Sequence, residues 1–108
     1  MLNLTFKQAL QRGYIKPMRN KYYLVWMVKN IRCPCGAAAT EAHHLISAGF
    51  GGGMGTKNSD LLAFAICAAC HAMLHADISE WEDCYNSQWE HVALTMAQAV
   101  NEGVLGFG

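Results

Sequence analysis

A chain of 108 residues is the length of one domain, and folding buries roughly two-thirds of the surface that such a chain exposes when unfolded. With 53% hydrophobic and 15% charged residues it is no disordered tail, and no run approaches the ~18 uninterrupted apolar residues of a membrane span. Five cysteines cannot pair completely within one chain, and no basic-then-apolar leader marks secretion, so a reducing cytoplasm with thiols free for metal is the expected setting.

The first third of the chain is basic. Lys7, Arg12, Lys16, Arg19, Lys21, Lys29 and Arg32 all precede Cys33 in a segment without Asp or Glu, whereas every acidic residue follows it. A formal net charge of zero hides this segregation. It either readies the basic end for a polyanion, where each Lys or Arg on a phosphate releases a counterion, or lets two regions neutralise each other within the fold. Thr5 followed by Phe6, Ala9 and Leu10 predicts a short helix over 5–11 that Gly13 ends, and Pro17 marks a connector. Asn20 is a candidate N-cap, and Tyr23, Leu24, Met27 and Val28 recur at helical spacing, which predicts an amphipathic helix over 21–30 whose Met and aromatic residues belong to the core.

Cys33-Pro-Cys-Gly36 predicts a tight turn, followed by a short strand over 37–44. Five glycines in the seven positions 49–55 permit only a loop, since regular structure there would cost too much backbone entropy. The apolar run 61–66 predicts a buried strand and 68–76 a helix. Ser79-x-x-Glu82 and Ser87-x-x-Glu90 both match capping boxes, and the second opens a helix through Trp89, Val92, Leu94, Met96 and Val100 that Gly103 closes. The outline is an α+β domain, mostly helical, built around a hairpin and the helix after it. A basic helical segment over 1–32, a core over 33–77 and C-terminal helices over 78–108 make one domain, with no repeat and no linker.

Eight residues with metal-binding chemistry crowd into 33–75: Cys33 and Cys35, Cys67 and Cys70, His43 and His44, His71 and His75. The two cysteine pairs suit a tetrahedral Zn²⁺, each turn presenting two thiolates and the long chain between letting them converge. Such a zinc would knit the start of the hairpin to the start of the helix. His71 and His75, four apart, lie on one helix face and can grip one cation. Cys70 points about 100° away from His71 around the helix, which separates a cysteine site from a histidine site. Adjacent His43 and His44 on a strand point to opposite faces, so one can turn to the metal while the other faces a substrate. Cys84 reads as a small packed residue and His91 as a satisfied core histidine.

His43-His44, a Gly-rich loop, Asp60-Leu61 and Cys67-x-x-Cys70-His71-x-x-x-His75 together resemble the HNH, or ββα-metal, nucleases, which implies a zinc-stabilised, treble-clef-like core of a hairpin followed by a helix around one divalent ion. The run from His43-His-Leu-Ile through Gly52-Gly-Met-Gly-Thr-Lys57 to Leu74-His-Ala-Asp77, with Arg19-Asn-Lys-Tyr-Tyr-Leu-Val-Trp26 upstream, is similar to phage recombination nucleases of the RecA-dependent Ref type. The similarity spans about residues 17–105. It implies a metal-dependent DNA endonuclease of phage or prophage origin, acting in the bacterial cytoplasm on DNA and with a RecA-type recombinase filament as a further partner. His43, His71 and His75 would hold a divalent ion (Zn²⁺, Mg²⁺ or Mn²⁺), and His44 would be the general base. Asp60 takes the place of the family's middle Asn, with Asn58 the neighbouring alternative, and the four cysteines match a structural zinc. Lys57, Arg19, Lys21 and Arg32 would hold the nucleic-acid backbone. Two other readings stand beside this one. One is a zinc-stabilised DNA- or protein-binding module without catalysis, and the other is a structural protein that uses its histidines for a second folding zinc.

Overall fold

The computed structural model describes residues 19–46 and 59–106, and the expected helix over 5–11, the glycine loop, Lys57 and Asn58 lie outside them. Among the described residues the architecture is α+β, with four helices and one two-stranded antiparallel sheet: α1 (Lys21–Asn30), β1 (Glu41–His44), a 3-10 turn (Asp60–Leu62), β2 (Ala63–Ile66), α2 (Ala68–Ala76), α3 (Ile78–Tyr85) and α4 (Gln88–Asn101). None of these helices is long and apolar enough to cross a membrane.

α1 has the predicted bounds. Its N-cap Asn20 accepts from the Tyr22 and Tyr23 N–H groups at 3.1 and 3.2 Å, satisfying donors that the first turn otherwise leaves open. Tyr23 and Met27, one turn apart, form its buried face. After it, Gly36 N–H donates to the Cys33 carbonyl at 2.8 Å, with Pro34 at the turn position its fixed φ favours. Gly36 then takes φ +93°, a left-handed value that a side chain would strain.

The predicted strand over 37–44 is shorter than expected: regular pairing begins at Glu41, with Glu41 opposite Ile66, Ala42 opposite Ala65, His43 opposite Phe64 and His44 opposite Ala63. The run 61–66 also divides, because Ser59 caps a 3-10 turn whose Asp60 and Leu62 are buried before β2 starts at Ala63. All four residues of β2 are buried, since both faces of the sheet are covered. Ala63 and Ala65 meet Tyr23 and Met27 of α1, together with Ala99. Phe64 and Ile66 join Leu74, Trp81 and Val92 from α2, α3 and α4 on the other side. Burying a side chain such as Phe64 contributes about 1.5–3 kcal/mol, and here the Phe64 ring also stacks on Trp81 at 5.8 Å between centroids.

α2 has the predicted bounds, with Cys67 as its N-cap. The Ser79 capping box does not form. Asp77 caps α3 instead, its carboxylate accepting from Glu80 N–H at 3.0 Å, which leaves Ser79 inside the first turn. Ser87 caps α4 as predicted, and Gly103, at φ +77°, ends it. His91 is satisfied as expected, its Nε2 against the Tyr85 carbonyl and its ring against both Phe64 and Trp81. Cys84 is exposed rather than packed, because it falls on the solvent side of α3, whose one buried residue is Trp81.

Candidate metal centres and a histidine cleft

α2 starts immediately after β2, so the chain brings the turn at Cys33 and the cap at Cys67 to one end of the sheet. The Sγ atoms of Cys33, Cys35, Cys67 and Cys70 all lie within 4.8 Å of one another. Cys35 and Cys67 are 3.8 Å apart, far longer than a disulfide. Four thiolates ~2.3 Å from one tetrahedral zinc have their sulfurs ~3.8 Å apart, so this cluster has the dimensions of a metal cage. Burial pushes the Cys33 thiol up to about 12 and raises Cys70 as well. The Cys70 backbone N–H, with help from the other thiols, brings Cys67 down to about 7. Buried thiols of this kind ionise together only when a cation compensates them. The buried Trp81 indole N–H has no hydrogen-bond partner among the described residues and lies beside the Cys70 sulfur, where it favours the thiolate. These four cysteines can bind a metal such as zinc.

The histidines form a second, separate group. Strand alternation turns His43 toward α2, where its ring lies 5.0 Å from that of His71 and 5.5 Å from that of His75. One nitrogen from each of the three lies within 4.8 Å of the others, and His71 Nε2 and His75 Nε2 are 2.9 Å apart. The predicted separation of sulfur from imidazole along α2 is therefore present. His43 is buried, His71 half-buried and His75 exposed, so the group opens to solvent on one side. Burial lowers the His43 pKa to about 4, with further lowering by the neighbouring imidazoles, and keeps the ring neutral at physiological pH, the form a metal requires.

Two residues absent from the sequence prediction hold this group. Glu41 Oε1 lies 2.6 Å from His71 Nδ1, which fixes the proton on Nδ1 and leaves Nε2 with its lone pair toward His75. Gln88, buried at the start of α4, places its Oε1 3.0 Å from His43 Nε2. Glu41 carries a signal in hindsight, since it lies two residues before His43 and hence on the same strand face. Gln88 carries none, because only the tertiary fold brings it across 45 residues.

His44 faces the other way. Its Nε2 lies 2.7 Å from Asp60 Oδ1, and the second oxygen of Asp60 accepts from the Asn20 backbone N–H at 2.6 Å. Burial pushes the Asp60 carboxyl up, but these two hydrogen bonds, with the charges of His44 and Arg19, outweigh it and hold the group below the ordinary Asp value. His44 and Asp60 line an open cleft of about 480 Å³ with Arg19, Asn20, Lys21 and Leu24. Of the expected backbone-binding residues, Arg19 and Lys21 therefore stand beside His44. Arg32 does not: it lies past the far end of α1, donates to the Gly36 carbonyl at 3.2 Å and lines a different cavity, with Pro34, Phe64 and His91.

No solved structure matches the chain. A curated relative, the uncharacterized protein YdfU of Escherichia coli strain K12, is 40% identical over 97% of this chain, and the chain spans only 31% of that relative's length. The family model described as "Protein of unknown function (DUF968)" matches residues 7–103. The chain belongs to the DUF968 family.

Proposed function

We propose that this domain is a metal-dependent DNA endonuclease with an HNH-like, ββα-metal core, in which the cysteines hold a structural zinc and the histidines a catalytic divalent ion. The observation that carries the reading is the division of labour along β1. His43 joins His71 and His75 on one face, while the next residue, His44, is paired with a carboxylate in a cleft bearing Arg19 and Lys21. The order of β1, 3-10 turn, β2 and α2 supports it, as does the placement of Asp60 beside the proposed base.

The three protein ligands are neutral imidazoles, and the exposed side of the group leaves room for further ligands. A divalent ion held by His43, His71 and His75 would supply positive charge for the phosphate oxygens and for the departing 3′ oxygen. His44 removes a proton from the attacking water. Asp60 holds the Nε2–H of His44, so the basic atom is Nδ1, and the carboxylate stabilises the imidazolium that forms. Arg19 and Lys21 attract the backbone and fix the scissile phosphate near His44. Because His43 and His44 lie on opposite faces of β1, the reading requires the phosphodiester to cross the edge of that strand.

The test is cleavage of supercoiled plasmid and of single-stranded DNA with Mg²⁺, Mn²⁺ or Zn²⁺, with and without a recombinase filament. The wild type should cut in at least one condition, and His44→Ala should still bind DNA but no longer cut it. A wild type inert in every condition that nonetheless binds DNA would return the domain to the class of zinc-stabilised binding modules.

A further inference from the structure

The buried amide of Gln88 does more than touch His43. Its Nε2 donates to the Ile46 carbonyl at 2.8 Å, and its Oε1 accepts from the Ile46 N–H at 3.2 Å. Those two bonds to a single residue define which end of the amide is oxygen, because a flipped amide would set donor against donor and acceptor against acceptor. Oε1 is therefore the atom 3.0 Å from His43 Nε2, and an amide oxygen can only accept. His43 must carry its proton on Nε2. Gln88 is itself anchored, since its backbone N–H donates to Glu82 Oε2 at 2.8 Å, tying the start of α4 to α3.

We infer that Gln88 is a positioning residue for the histidine metal site, fixing His43 as the Nε2–H tautomer so that it binds the ion through Nδ1. The inference deepens the proposed function and rests on its histidine metal site. His71 is set in the opposite sense: Glu41 holds its Nδ1 and leaves Nε2 for the ion. The strand ligand thus binds through the nitrogen nearer its backbone and the helix ligand through the farther one, each selected by a protein acceptor on the other nitrogen. This arrangement also accounts for a Gln at a site only 2% exposed, where a buried amide is costly unless all its groups are bonded.

The experiment uses the full chain with ¹⁵N-labelled histidine. Long-range proton–nitrogen spectra of protein carrying metal only at the cysteines should show His43 protonated at Nε2. Loading the second site with ¹¹³Cd²⁺ should then give direct cadmium coupling to His43 Nδ1 and to His71 Nε2. In Gln88→Met the second-site affinity should fall about 10–100-fold, with the cysteine-bound metal retained. Gln88→Glu, which keeps an acceptor for Nε2–H, should preserve the tautomer and recover most of that loss. Cadmium coupling to His43 Nε2, or an Nδ1–H tautomer before loading, overturns the role of Gln88 while leaving the metal site intact. Failure of any metal to bind the three histidines overturns the site itself and the inference with it.

Discussion

The two clusters on α2 use one helix for opposite ends. At its N-terminus four sulfurs close around a point, with Cys33 and Cys70 buried, Cys67 half-buried and Cys35 exposed. One turn later three imidazoles gather, and the group runs from a buried ring at His43 to an exposed one at His75. A four-sulfur cage leaves an ion no free position and can only hold chain segments together, whereas three neutral ligands with an open side leave an ion able to meet a substrate. On the proposed reading, the difference separates what would keep this domain folded from what it would do.

The largest expected effect tests the closed side. Cys70→Ser, or zinc removal by a strong chelator, should abolish cooperative thermal unfolding, because structural zinc supplies on the order of 10 kcal/mol in small domains. Retention of a sharp melting transition would remove the contrast between the clusters. On the open side, His44→Ala should lower DNA cleavage by about 10²–10⁴-fold, the usual contribution of a general base, with little change in melting temperature. His71→Ala should reduce the metal content from two ions per chain to one and leave the fold in place, as read by metal analysis beside circular dichroism. If it unfolds the chain as Cys70→Ser does, both ions are structural.

The buried end of the imidazole group gives a smaller, pH-dependent effect. The His43 pKa is lowered in the folded state from 6.5 to about 4, so between those values the unfolded chain takes up a proton that the folded one refuses. Stability should therefore be about 1.4 kcal/mol lower at pH 5.5 than at pH 8, when only the cysteines carry metal. Urea titrations at the two pH values measure this, and His43→Gln should flatten the dependence. The smallest effect belongs to the cleft. Lys21→Ala should weaken DNA binding modestly and reduce the slope of log K against log salt by about 1.

Much of this arrangement was written in local patterns. Helical spacing after Asn20 gave the bounds of α1, and the Cys67-x-x-Cys70-His71-x-x-x-His75 run placed both ligand sets on one helix and divided them by angle. What stayed hidden depends on contacts between distant residues. Ser79 matched a capping pattern, but Asp77, two residues earlier, occupied the role because its carboxylate reached Glu80 first. Arg32 shared the charge of its segment, yet α1 carries it away from the cleft that Arg19 and Lys21 line. Gln88 is an ordinary residue in sequence and becomes informative only once the fold brings the start of α4 to His43 and Ile46.

β1 is four residues long and assigns adjacent imidazoles to different compartments of the molecule. A slip of one residue against β2 would exchange those compartments. His44, the proposed base, would move among the helix histidines, and His43 would take the place beside Asp60, so neither could serve in its proposed role. Single-residue insertions or deletions within 41–44 should therefore be far more damaging than most substitutions there, because they alter the direction of every side chain at once.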